Sequence, residues 1–537
     1  MPLVQIDNLG RGGINRDLEP YTLPPHLWSD GRNVRFLNQR AQKVLGSQEF
    51  FDSWNLGAGF NVPLWLLPWN NGGTLEWLAP SSGKIVKMIN GSTLDVTRTT
   101  GGDYSATNTS IWSGGVIGGV PILTNDSHTD IPQSWNNSTG KMQDLPNWTV
   151  GAKAKIIRIF KQYVVALDIL QPGGSREPHT VKWSNPALPG TVPTKWDNAN
   201  DNDSNEQPLS EGGGFIIDAQ PLRDALVVYK EQSTYLMQLT SGPFVFNFRR
   251  IFDNEGLLAP RCAKTFDNKH FVVSQGDVRV HDGQTSVSVI DKVLRNWMFN
   301  NIQESTLRQT FVTPNYANNE MWICFITNSV AGTFADIALI WNWKENTWGI
   351  RDLPDVPHIA YGLIDKTGVT SKIIDDQTQI IDTDTSVIDG SPFSSGQLRL
   401  AGVGNATAND KLIEFDITTQ EQGANLVSFL ERTGIIVIGK DQFGEPKLDQ
   451  TSLKLLSRLW LKLEATGAVD VYIGSQSTIE GAITWSGPFP YTVGVTPHID
   501  TRVQGVALAI KIESTGNIEW SCTGVSFNVE IIGGATR

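Results

Sequence analysis

Along most of this chain apolar and polar residues alternate with a period of two, in short runs broken by Gly, Asn, Asp or Pro. Successive strand residues point to opposite faces of a sheet, so this rhythm predicts half-buried β-strands and little helix. Residues 74–97 (TLEWLAPSSGKIVKMINGSTLDVT) read as three strands with turns at 80–83 and at Asn90-Gly91. The layout recurs at 224–252, where 230–232 and 241–243 separate three strands, and at 269–290, with turns at Gln275-Gly276 and Asp282-Gly283. Such X-Gly pairs suit tight hairpins because Gly reaches positive φ without a Cβ clash. A fourth meander covers 320–350, where EMWICFI is followed by IALIWNWKENTWGI.

Consecutive antiparallel units arriving every few tens of residues are the mark of β-propeller blades, which bury strand edges by packing radially. A pair of stacked β-sandwiches is the competing arrangement, but four units of similar layout exceed what one sandwich needs. The expected fold is therefore all-β: an irregular β-propeller with an N-terminal extended arm and an additional C-terminal antiparallel β module, the blade number being left open. Three regions are expected: 1–55 as arm and first hairpin, 56–430 as propeller, and 431–537 as the C-terminal module. Within the second, 185–214 and the Asp/Thr-rich 365–425 read as loop insertions. In the third, strands are expected from Leu453 (LKLLSRLWLKLEATG), Ala468 (AVDVYIG) and Val506 (VALAIKIESTGNIEWSCTGVSFNVEII). Residues 1–27 show little alternation, and Pro20, Pro24 and Pro25 each lack a backbone donor. That arm is expected to supply no central sheet strand and to look to neighbouring subunits for contacts.

Composition narrows the function classes. The 537 residues include 18 Trp and 22 Phe, enough for a large core, and only 18% are charged. The formal net charge of −12 argues against affinity for a nucleic-acid backbone, which depends on clustered Lys and Arg. Cys262, Cys324 and Cys522 are far apart and without metal-ligand spacing, so buried thiols are expected. No early apolar stretch suits a signal peptide, and no run approaches the ~18 apolar residues of a membrane helix. Neither secretion by that route nor a membrane anchor is expected.

A search for chemistry leaves no catalytic, cofactor-binding or metal-ligating residue standing. The seven histidines, at 26, 128, 179, 270, 281, 358 and 498, include no i, i+4 pair. His270 and His281 are placed to meet across one meander, as core or surface neighbours rather than ligands. No Gly-Lys pair is followed by the Ser or Thr of a phosphate loop. Asp201, Asp203 and Asn205 resemble the start of a calcium loop, but Glu206 stands where its sharp turn needs Gly. The pair Asp375-Asp376 invites a glycosidase reading, since retaining enzymes use two carboxylates ~5 Å apart. Ser-x-Asp-x-Gly boxes are not found, and SQSTIEGAITW, 475–485, puts Ile479 where the Asp should be.

Residues 12–50, GGINRDLEPYTLPPHLWSDGRNVRFLNQRAQKVLGSQEF, combine a Gly-Gly-x-Asn arm, a Leu-Pro segment, an Asp-Gly turn, an Asn-Val-Arg-Phe strand and a Lys-Val-x-Gly turn. Further on, in order, come WSGGVIGGVPILTND (112–126), VVALD (164–168), VKWSN (181–185), residues 225–262, FLERTG (429–434), VDVYIGSQ (469–476), ITWSGPFPYT (483–492) and DTRVQGVALAIKI (500–512). This succession resembles the tail nozzle proteins of short-tailed bacteriophages, also described as tail tubular protein B or packaged-DNA stabilisation proteins. The resemblance implies a virion component and no enzyme: a homohexameric ring below the portal and an adaptor of the tail tubular A type. It would continue the DNA channel, close or open its distal end, and have tail fibres or spikes as further partners. Duplex DNA would pass without sequence-specific contact, and assembly would take place in the host cytoplasm. A receptor-binding or glycan-cleaving tail propeller is the alternative.

Overall fold

The computed structural model describes residues 3–51, 62–89, 92–197, 202–241, 244–330, 332–364, 397–404, 412–440 and 446–533. It is nearly all β: among these residues one short α-helix, Arg295–Asn301, accompanies many antiparallel strands. None of the sheets closes on itself.

Seven four-stranded antiparallel units follow one another among the described residues. The first comprises Leu67–Asn71, Thr74–Pro80, Ile85–Ile89 and Ser92–Asp95; the second Trp112–Ile117, Val120–Asn125, Gln133–Asn136 and Lys141–Asp144. The third comprises Lys153–Phe160, Tyr163–Leu170, Arg176–Trp183 and Asn205–Pro208; the fourth Ile216–Leu222, Ala225–Lys230, Ser233–Leu239 and Phe246–Asp253. The fifth comprises Ala263–Phe266, Lys269–Ser274, Asp277–His281 and Ser286–Ser288; the sixth Phe311–Asn315, Glu320–Phe325, Ala335–Asn342 and Thr347–Val356. The seventh takes His358–Ile364, Gln397–Val403 and Leu412–Thr418 from the middle of the chain and its fourth strand, Gly46–Phe51, from near the N-terminus.

All four meanders expected from the sequence are present, each as strands two to four of a unit. The leading strand escaped the pattern in every case because it is short or interrupted: Ile216–Leu222 carries Asp218 and Pro221, and Ala263–Phe266 has four residues. These leading strands touch in sequence from the second unit to the seventh, and that of the seventh returns to that of the first. Between the first and second units Trp69 packs on Trp135 with ring centroids 5.0 Å apart and donates its indole N–H to Gly119 O. Apolar layers fill the spaces between successive units, as with Ile156, Phe160 and Val165 against Ala219, Leu226 and Phe246.

The C-terminal strands are built as expected but are not independent. One five-stranded sheet orders Asp30–Arg32, Ser428–Ile435, Ala507–Ser514, Val469–Gln476 and Thr484–Tyr491. Facing it, the sixth unit extends through Val34–Leu37 and Arg40–Lys43 into Trp520–Gly533, Leu453–Ala465 and Ile499–Gly505. Leu456, Leu459, Val471, Ile510, Ile512 and Phe527 belong to one core between them. Residues 30–51, expected to form an N-terminal region of their own, thus contribute strands to three sheets.

The arm differs most from expectation. Leu3–Asp7 pairs antiparallel with Trp520–Gly533, Val4 opposite Phe527, and Val4, Leu9, Ile14 and Leu23 are buried. Ile14 N donates to Trp348 O at 2.9 Å, Arg16 N to Val293 O at 2.9 Å, and Trp28 Nε1 to Leu9 O at 3.0 Å. Leu3–Asp7 has one partner strand and so is an edge strand, formed ahead of Pro20; what differs is that the arm finds its contacts within its own chain. In the Pro-rich part the acceptors are used instead: Arg432 donates to Pro20 O and Leu23 O.

Two expected insertions also shrink. Asn205–Pro208, inside the supposed loop 185–214, is the outer strand of the third unit, while Trp196 packs on Trp148 at 4.5 Å. Within 365–425, Gln397–Val403 and Leu412–Thr418 are regular strands, and 365–396 lies outside the described residues.

Candidate functional site

The densest polar constellation sits where the sixth and seventh units meet the N-terminal hairpin. That hairpin, Val34–Leu37 with Arg40–Lys43, turns at Asn38-Gln39, both at positive φ. It delivers Arg35 to the interior, 4% exposed, between Glu320 of the sixth unit and Asp416 of the seventh. Arg35 Nη2 donates to Asp416 Oδ2 at 2.6 Å and to Glu320 Oε2 at 3.3 Å, and its Nε lies 3.0 Å from Glu320 Oε1. Arg351, fully buried, donates to Asp416 Oδ1 at 2.6 Å while its guanidinium lies 4.7 Å over the ring of Trp322 and 5.1 Å over that of Phe415. Asn315 and Asn318 add donors to Asp416 at 2.7 and 3.2 Å, and Trp322 Nε1 donates to Glu320 at 2.9 Å.

The two carboxylates respond differently to this setting. Burial pushes both up, but the charges of Arg35 and Arg351 and their hydrogen bonds overcome it at Asp416, which is held below the usual carboxylate range. At Glu320 burial prevails over Arg35, and the repulsion of Asp416 adds to it, so its pKa rises to about 7. Neighbouring positions extend the junction: Asn33 donates to Asp352 Oδ2 and to Val427 O, both at 2.7 Å, and Ser47 donates to Glu421. Beside the network opens a cavity of about 310 Å³ whose walls include Arg35, Lys43, Tyr361, Arg399 and Asp416.

A second constellation is fully internal. His270 and His281 are cross-strand partners in the fifth unit, and both rings bond to the hydroxyl of Tyr229, at 2.6 Å through Nδ1 and 2.7 Å through Nε2. His270 Nε2 donates to Pro221 O at 2.9 Å, so its Nδ1 accepts the tyrosine proton and His281 Nε2–H donates back to the tyrosine oxygen. That leaves His281 Nδ1 buried without a hydrogen-bond partner. Burial keeps both imidazoles neutral, lowering His270 to about 4 and His281 to about 3, the second helped by the first. They meet as the sequence suggested, in a hydrogen-bonded core.

The other singled-out residues are dispersed. Asp203 accepts from Tyr163 Oη at 3.4 Å, Asn205 and Glu206 lie in a strand, and Glu206 pairs with Lys182 at 2.9 Å, so the calcium-loop spacing is not realised there; Asp201 lies outside the described residues. Asp375 and Asp376 also lie outside them. No group of three or more His, Cys, Asp or Glu side chains able to hold a metal occurs among the described residues. Cys262, Cys324 and Cys522 are buried and free, and burial raises all three thiols, Cys262 and Cys522 to about 12. Ile479 falls outside the strands of the seven units, just after Val469–Gln476.

Sequence reasoning missed the Arg35–Arg351–Asp416–Glu320 junction. Its parts are up to 381 residues apart along the chain, and the one available signal was charge at strand positions whose neighbours are apolar, as in Val34-Arg35-Phe36. No protein-family model matches the chain, and no curated protein matches it.

Proposed function

We propose that this chain is a structural virion protein, the nozzle ring of a short-tailed bacteriophage tail. Its architecture is then a seven-bladed β-propeller joined to a two-sheet C-terminal module. The propeller reading is supported by the seven successive meanders, by leading strands that succeed one another and return to the first, and by the last unit's fourth strand coming from the N-terminal side. A last unit completed by a strand from the N-terminal side ties the first and last parts of a radial array together.

The observation that carries the functional reading is where the family-like residues fall. Val34, Arg35 and Phe36 belong to the strand that ties the N-terminal segment to the sixth unit, Asn33 precedes it, and Gly46 begins the strand that completes the seventh. Arg432, in FLERTG, fastens the arm. The motifs mark joints of the fold, as befits a protein whose work is to hold a shape under load rather than to turn over a substrate.

In this reading six copies form a ring beneath the portal and adaptor, retain packaged DNA and release it at ejection. An acidic chain suits that role, because phosphates passing a basic wall would bind and stall, whereas like charge keeps duplex DNA mobile. Tail fibres or spikes are further partners, and the protein resides in the virion tail after assembly in the host cytoplasm. The test is to mix purified protein with the portal and adaptor from the same particle and image the product. A sixfold ring below the adaptor is expected. Failure to join the adaptor, together with depolymerisation of host polysaccharide, would favour the receptor-binding or glycan-cleaving alternative.

A further inference from the structure

Among the buried lysines of the described residues, Lys182 pairs with Glu206, and the other three differ in how their ammonium groups are satisfied. Lys230 Nζ donates to the carbonyls of Leu209, Glu211 and Gly212 at 2.8, 2.9 and 2.7 Å, using all three of its protons. Lys454 Nζ donates to Ser452 O and Val506 O and lies 4.0 Å from Asp449. Lys43 is 3% exposed, and among the described residues its ammonium has one partner, Gly516 O at 3.0 Å, and no carboxylate within ion-pair reach. Burial lowers its pKa to about 8, as expected for a cation without a counter-charge.

Lys43 borders the cavity of about 310 Å³, at the small end of the range for small-molecule sites. The nearest interior carboxylate on that wall, Asp416, is already saturated by Arg35, Arg351, Asn315 and Asn318. Glu519, also on the wall, is exposed to solvent. Gln42 and Tyr361 bring an amide and a phenol to the same space, and Arg399 on the same wall is already paired with Glu414 at 3.2 Å. An uncompensated buried cation is costly, and the usual remedies are a paired charge or a bound anion.

We propose that this cavity binds a small oxyanion, a carboxylate or phosphate group on a ligand of monosaccharide size, with Lys43 as its charge partner and Gln42 and Tyr361 as hydrogen-bond donors. The site lies within one chain and stands independently of the ring.

Isothermal titration of the full chain at constant ionic strength tests it, using inorganic phosphate and glucuronate as probes. At least one is expected to bind saturably at one site, Lys43→Arg to retain that binding, and Lys43→Met to weaken it by about tenfold or more. Binding of phosphate alone assigns a phosphoryl ligand, and of glucuronate alone a carboxylate. Should Lys43→Met fail to fold, the double variant Gln42→Leu/Tyr361→Phe is expected to weaken binding by about threefold or more. The proposal is overturned if neither probe binds below about 20 mM, or if a folded Lys43→Met, or in its place the double variant, binds as the unaltered protein does.

Discussion

Asp416 and Glu320 share one guanidinium, yet removing their charges has expected effects of very different size. Asp416 accepts from two arginines, so Asp416→Asn leaves two buried cations short of their counter-charge and should cost about 3–5 kcal/mol in denaturant unfolding. At Glu320 burial opposes the charge, so Glu320→Gln should cost clearly less than Asp416→Asn. Equal losses in the two variants would contradict this assignment of charge. The histidines add a pH dependence of definite sign. Their folded pKa values, about 4 and about 3, lie below the unfolded value of 6.5, so the unfolded chain takes up protons first on acidification. Their contribution is complete above pH 6.5 and is lost as pH falls toward 4 and 3, the loss reaching about 2 kcal/mol per histidine at pH 5. Glu320 works the other way, since its raised pKa makes stability fall between 4.5 and about 7. The test therefore compares wild type with His270→Asn/His281→Asn. The variant should lose less stability between pH 6.5 and 5, and parallel curves would refute the account.

At the scale of elements, the arm and the strand after it decide whether the chain holds together. A protein starting at Trp28 lacks the strand Leu3–Asp7 and the buried Val4, Leu9, Ile14 and Leu23, and leaves Trp348 O and Val293 O without their backbone donors. It should unfold well below the full chain in a thermal melt or fail to fold. A melt within a degree or two of the full chain's would show the arm to be dispensable. Gly46→Ala probes the next joint, because a Cβ there would lie 2.0 Å from Gln420 O, where the seventh unit receives its fourth strand. Residues 74–97, 224–252, 269–290 and 320–350 were legible because their strands are short apolar or alternating runs bounded by polar turn residues, although some, such as Ala225–Lys230 and Glu320–Phe325, are buried throughout. The leading strands were not, because they are short or interrupted: Ala263–Phe266 has four residues, and Asp218 or Pro221 reads as a break within Ile216–Leu222. Long-range pairing was also hidden. Nothing local in Gly46–Phe51 announces a partner at Leu412–Thr418, and nothing in Arg35 announces Asp416.

For the whole molecule, the remaining expectation concerns charge and DNA. The chain carries 55 Asp+Glu against 43 Lys+Arg, and several of its most buried cations, among them Arg35, Arg158 and Arg351, are committed to carboxylates inside the fold. Binding to duplex DNA gains most of its free energy from cations that replace counterions along the phosphates, and an acidic surface offers few such replacements while repelling the duplex at distances near the Debye length. A conduit built from six such chains would hold DNA by closure rather than by adhesion, and the duplex could leave as soon as the distal end opened. Purified protein is accordingly expected to leave linear duplex DNA unshifted in a mobility assay even at about 50 mM salt, where phosphate contacts are strongest. Retention of the duplex that weakens steeply with added salt would mean a cationic track on the surface, and the like-charge account of the channel would have to be abandoned.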